Sequence, residues 1–239
     1  MHCLPRFFLV LCIFADIIHA QPLDKITVVC NNFHPYYYEE NGQIKGRSYD
    51  IAKSVLDKAG IIGEYKVMPW KRVYTMGKNN PDVMIACIGR LPQREDIFQW
   101  IGPTSIGDEI NFYKLKSRSI SIQSLDDLRQ YKTAVLRGSH MHDFLVTKAL
   151  EDHIYEVADI DLSFHLLLNG RIDLILLHEK WIRNYTTKKT LKEGHFEQAF
   201  HGYKVRSYLA LGNDAPEELV IRLNEAYQFL KREGQLTFH

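Results

Sequence analysis

Pro81-Asp82-Val83-Met84-Ile85-Ala86-Cys87-Ile88-Gly89-Arg90-Leu91-Pro92-Gln93-Arg94 is the stretch from which the rest of the chain is read. Val83 to Ile88 is a short, unbroken apolar run rich in β-branched residues, which suits a strand buried on both faces in a sheet covered by helices. Gly89 ends the run, lets the backbone turn away and lets a bound molecule approach closely. The loop beyond it reaches Arg94, whose planar guanidinium matches a carboxylate. Open α/β sheets place their ligands at the carboxyl ends of buried parallel strands. On these residues alone, Arg94 either faces such a ligand or pairs in solvent with Glu95 or Asp96.

Working outward, Ile26 to Cys30 reads as a first buried strand, followed by an aromatic loop (Phe33, Tyr36, Tyr37, Tyr38) and a turn at Asn41-Gly42. Asp50 to Ala59 is helical by the spacing of Ile51, Ala52, Val55, Leu56 and Ala59, with Gly60 as its stop. Tyr65 to Met68 is a second strand, and a helix carrying Trp70, Val73 and Met76 follows Pro69. The Val83 strand is the third. This strand-helix alternation is the rhythm of a doubly wound sheet. Phe98 to Thr104 reads as irregular, and Glu109 to Leu115 as an extended segment leading out of the first unit.

The pattern then restarts. Ser124-Leu125-Asp126-Asp127 fits a capping box, and Thr133 to Leu136 is a strand ending in Arg137-Gly138-Ser139-His140. A helix from Met141 to Leu150, a strand near Tyr155, a helix from Asp161 to Leu168 and the strand Ile172 to Leu177 complete a second unit. Tyr203 to Leu211 returns as one strand, and Pro216 to Lys231 is a terminal amphipathic helix. Two such units predict two lobes with a cleft between them: residues 21–110 plus 209–239 in lobe 1 and 111–208 in lobe 2.

Composition bounds the rest. With 46% hydrophobic and 25% charged residues over 239 positions and a net charge of +1, the chain is globular and offers no electrostatic case for a nucleic-acid partner. Lys188, Lys189 and Lys192 read as a solvated loop. Arg6 followed by the apolar run Phe7 to Ala15 is the core of a secretory signal peptide over residues 1–20, cut after Ala20, so the product is expected in the periplasm. Cys3 and Cys12 leave with that segment. Cys30 and Cys87 each end an apolar strand, and the doubly wound order sets those strands side by side. Parallel neighbours about 4.8 Å apart allow a bridge, which needs Cα atoms roughly 4.4 to 6.8 Å apart, but two buried thiols serve as well.

Taken together, Phe33-His34-Pro35-Tyr36, Asn41-Gly42 with Gly46 and Asp50-Ile51-Ala52, Pro69-Trp70, Asp82, Pro92-Gln93-Arg94, Ser124 to Leu128, Arg137-Gly138-Ser139 and Gly170-Arg171-Ile172-Asp173 resemble the family 3 solute-binding proteins, the periplasmic receptors of polar amino-acid ABC transporters. The resemblance implies an α/β two-lobe periplasmic binding protein fold of type II, each lobe a doubly wound, mainly parallel sheet. It implies a monomer that closes on a small-molecule ligand, without cofactor, metal or catalytic turnover, and presents it to a membrane ABC transporter permease or sensor. By the resemblance Arg94 grips the ligand carboxylate, helped by Ser139 or His140 from the second lobe, and Phe33 and Trp70 wall the ligand's side chain. Phe33 serves equally well as lobe packing.

Departures from the family pattern carry their own expectation. The aspartate that holds an α-ammonium falls at His178, an acidic residue at the end of the first strand falls at Cys30, and hydroxyls near Arg94 fall at Cys87 and Gly89. An imidazole cannot replace a carboxylate against an ammonium, so a standard α-amino acid held in the usual way is not expected. Glu179 either substitutes for it or simply starts a surface helix. The same fold in cyclohexadienyl dehydratases performs acid-base elimination, for which His178, Glu179 and Asp50 are the titratable candidates. His34, His140, His142 and His178 are too scattered for a metal site.

Overall fold

The computed structural model describes residues 25–190 and 194–238, so the export segment expected at residues 1–20 and Lys192 lie outside the described residues. Strand β1 (Lys25–Cys30) lies between β4 (Ile62–Val67) and β5 (Val83–Gly89), all parallel, and β5 is buried along its whole length. β5 lies inside the first sheet, whose order is β4-β1-β5-β12-β6, with β12 (Ser207–Gly212) antiparallel to its two neighbours β5 and β6 (Phe98–Pro103). Helix α1 (Arg47–Ala59) buries Ile51, Ala52, Val55 and Leu56, and Gly60 ends it in the left-handed conformation. Its first turn begins three residues earlier than the apolar spacing indicates, because Arg47 contributes no apolar side chain to that face. A small antiparallel hairpin, β2 (Tyr38–Glu40) and β3 (Gln43–Lys45), helix α2 (Trp70–Asn79) and helix α6 (Glu217–Arg232) complete this lobe.

The second sheet has the order β11-β7-β10-β8-β9. Here β8 (Thr133–Leu136), β9 (Ile154–Val157) and β10 (Leu174–His178) are parallel, while on one side β7 (Asp108–Leu115) is antiparallel to both its neighbours, β10 and β11 (Phe196–Val205). Helices α3 (His140–Thr147), α4 (Ile160–Leu168) and α5 (Glu179–Lys188) pack on it. The chain crosses between the sheets twice, after Pro103 and after Val205. The crossings lie side by side: Thr104 N–H donates to the Ser207 carbonyl at 2.7 Å, and Arg90 N–H to that of Arg206 at 3.1 Å.

Three local expectations differ from the structure. Phe98–Pro103 is not irregular but an edge strand, since its only ladder is to β12, a partner whose residues lie over a hundred positions away. The single returning strand at Tyr203 to Leu211 is two strands in different sheets, broken at Arg206; β11 begins already at Phe196 and carries two bulges against β7. At the capping box the hydrogen bonds come from Asp127, whose carboxylate accepts from the Gln123 and Ser124 amides at 2.9 Å, and the turn it stabilises is a short 3-10 segment, Asp126–Gln130. Among the described residues, no helix is long and apolar enough to cross a membrane.

Candidate functional site

The carboxyl ends of β1, β5 and β10 and the amino end of α3 converge between the lobes on a cavity of about 30 Å³. That is space for a water or two, an order of magnitude below the usual small-molecule pocket. Its wall includes Asn31, Phe33, Trp70 and Cys87 from the first lobe and Ser139, His140, His178 and Trp181 from the second. The lobes are closed on each other here. Trp70 Nε1 donates to the Gly138 carbonyl at 2.8 Å, and the Phe33 ring meets Trp181 and His178 edge-on at 5.1 and 5.0 Å.

Arg94 is 1% exposed and neither solvated nor paired with Glu95 or Asp96. Glu95 is taken by Arg90 in a two-pronged ion pair. Arg94 Nη2 instead donates at 2.9 Å to Asp143 Oδ2, on the opposite lobe. Nη1 reaches the Gly89 carbonyl at 3.4 Å, and Nε is buried with no partner among the described residues. The rings of Tyr74 and Trp70 flank the guanidinium at 5.2 and 5.8 Å. Neither Arg94 nor Gly89 is on the cavity wall: Arg94 lies behind Trp70, and Gly89 is its backbone neighbour. A Cβ there would meet Val205 at 3.1 Å and the His140 ring at 3.4 Å, so any side chain would have to push Val205 aside.

Cys30 and Cys87 form a disulfide, with Cα atoms 5.9 Å apart across the β1–β5 pair. Ser139 caps α3, its hydroxyl accepting from the His142 amide at 3.3 Å. His140 Nδ1 shares a 2.5 Å hydrogen bond with the Tyr203 hydroxyl, and Tyr203 stacks on Phe144. His178 is 2% exposed, with Nδ1 buried and unpartnered among the described residues. Burial pushes the His178 imidazole down to about 4, with smaller opposing pulls from Asp108 and Lys180. Burial likewise holds His140 well below its usual value, with His178 and Arg94 adding to it. Both rings are neutral at pH 7.

The aromatic loop is held in place from behind. Gly46 has φ 111°, and a Cβ there would stand 2.5 Å from the Tyr36 carbonyl, so only glycine lets the start of α1 lie against the loop. The Tyr36 hydroxyl donates to Asp108 where the chain enters β7. Phe33 packs in the core and also lines the cavity. Glu179 turns outward to Arg183 at 2.6 Å, and Asp50 is exposed on α1, so neither joins His178. Asp143, Tyr203 and Trp181 were not singled out from sequence. Asp143 follows the Ser139 cap by four residues and Trp181 follows His178 by three, helical spacings that put each pair on one face.

Comparison with known proteins follows the same lines. The family described as bacterial extracellular solute-binding proteins, family 3, matches residues 26–237. No curated protein matches. Among solved structures, a histidine kinase sensor domain with similarity to periplasmic binding proteins superposes with TM-score 0.79 at 17% identity, covering 89% of this chain and 92% of that one. An ancestral arginine-binding protein bound to arginine gives 0.75 at 20% identity, with 89% and 94% covered. The arginine-, lysine-, histidine-binding protein ArtJ from Geobacillus stearothermophilus gives 0.76 at 17% identity, with 90% and 92% covered. At these identities the likeness is one of fold.

Proposed function

Because this chain belongs to the bacterial extracellular solute-binding proteins of family 3, we propose that it is an exported receptor that closes on a small carboxylate-bearing solute, an amino acid or derivative, and delivers it to a membrane ABC transporter. The observation that carries this reading is Arg94: a buried guanidinium at the end of β5 whose one ionic partner is a carboxylate from the opposite lobe. A charge-assisted pair of that kind is what a ligand carboxylate would re-form with the same donors. Phe33, Trp70 and Trp181 would enclose the rest of the solute, and the paired crossings after Pro103 and Val205 would be the hinge. The protein acts as a monomer in the periplasm, freed from residues 1–20, and turns nothing over.

A thermal-shift screen with amino acids, dipeptides and organic acids tests this, since a ligand of the folded state raises its stability. At least one carboxylate is expected to raise the melting temperature. Arg94→Ala should then weaken its binding by about 2 to 4 kcal/mol by calorimetry. Unchanged affinity in that variant would remove the anchor and the reading with it. The sensor domain among the structural neighbours favours a second destination, a membrane sensor in place of a permease. Co-purification of the ligand-loaded protein from membranes decides which partner is retained.

A further inference from the structure

Arg94 and Asp143 are the two charges that meet where the lobes close, and they are unequal in freedom. Arg94 is 1% exposed by side chain and cannot reach water without opening the lobes, whereas Asp143 is 32% exposed and has solvent and the His142 ring on its other side. Asp143 holds the guanidinium through one nitrogen only, at 2.9 Å, while Nε goes unused. A carboxylate arriving from the cavity side can engage two nitrogens of the fork, and a bidentate pair outcompetes a single one. Asp143 would yield Arg94 but stay beside it, because α3 fixes its backbone one turn beyond the Ser139 cap.

The displaced carboxylate would then stand next to the incoming one. Two anions side by side, partly out of water, repel; the arrangement is favourable only if the ligand carries a cation close to its own carboxylate. Nothing on the cavity wall answers for that cation, since its polar groups are Asn31, Ser139, two indoles and two neutral imidazoles; Asp143, off that wall, is the carboxylate already bonded to Arg94. We infer that Asp143 is the specificity-determining residue of the site, bonded to Arg94 when the lobes close on themselves and accepting the ammonium of a ligand whose ammonium adjoins its carboxylate. This rests on Arg94 as the carboxylate anchor. It places the ammonium partner on α3 rather than at His178, and keeps the interface neutral: a zwitterion parts one ion pair and completes two.

The test is calorimetry with the standard L-amino acids and, for each that binds, its deaminated acid and decarboxylated amine, on wild type, Asp143→Asn, Asp143→Glu and Arg94→Ala. In the wild type the deaminated acid and the amine should both bind roughly 10- to 100-fold more weakly than the amino acid. Asp143→Asn should weaken the amino acid by a similar factor and bring it level with its deaminated acid, while Asp143→Glu, which keeps the charge, retains the preference. Asp143→Asn that preserves full discrimination overturns the inference and leaves the anchor standing, as does a wild type that binds plain carboxylates but no amino acid. Arg94→Ala without effect overturns the proposed function itself. Small-angle scattering on protein without ligand gives a second reading: Asp143→Asn should shift it from compact toward extended, and unchanged dimensions would remove the closing half of the role.

Discussion

The His140 and His178 rings lie 5.6 Å apart, and burial keeps both uncharged. In the unfolded chain a histidine takes its proton near pH 6.5; in the fold His178 does so only near 4. Between those values the unfolded state binds more protons, so stability is complete above about 6.5 and is lost as the pH falls toward 4. His178 alone is expected to cost the fold on the order of 3 kcal/mol across that window, with His140 adding in the same direction. Denaturant titrations at pH 7.5 and 5 should show it, and His178→Asn should flatten the dependence; a variant with the wild-type slope would mean the proton goes elsewhere. Arg94 is legible in sequence because it follows a buried run, but its partner is not. Asp143 has a sufficient local reason to be where it is, a carboxylate in the first turn of a helix, and its bond to Arg94 spans 49 residues and two lobes.

Among the elements, the central strands are the readable ones. β1 and β5 lie inside the sheet and must be apolar on both faces, so their composition announces them. β6 and β11 lie at sheet edges, where one side needs no partner and polar residues are tolerated, and their pairing is set by distant residues. The β1–β5 neighbour relation is readable, and with it the possibility of a bridge, but adjacency leaves both a disulfide and two buried thiols open; the bridge spans strand ends that are one position out of register, with Cα atoms 5.9 Å apart. The crosslink joins residues 57 apart, and closing a loop of that length stabilises by about 4 kcal/mol on chain entropy. Cys30→Ala with Cys87→Ala should therefore melt at markedly lower temperature than wild type. Thiol titration of the denatured, unreduced protein should find neither cysteine free; two reactive thiols would argue for the unbridged pair.

At the scale of the molecule, closure is a set of contacts between lobes: Trp70, on the cavity wall, to Gly138; Arg94 to Asp143; and Tyr36 to Asp108 at the start of β7. The two-lobe plan was legible from the restart of the strand-helix rhythm after Leu115. The degree of closure was not, since it depends on side chains that meet only when both lobes exist.

The chain path through the sheets also sets an order of assembly. Everything the second sheet needs lies in one uninterrupted length, Asp108 to Val205, whereas the first sheet waits for Ser207–Gly212 to slide between β5 and β6. A chain threaded through a membrane amino end first thus cannot complete its leading lobe until nearly the whole of it has passed, which leaves one edge of β5 open and β6 without its partner meanwhile. Pulse-labelled hydrogen exchange during refolding of the full chain should find the amides of β8 and β10 protected before those linking β5 to β12. Simultaneous protection would mean that the two sheets form as a single unit.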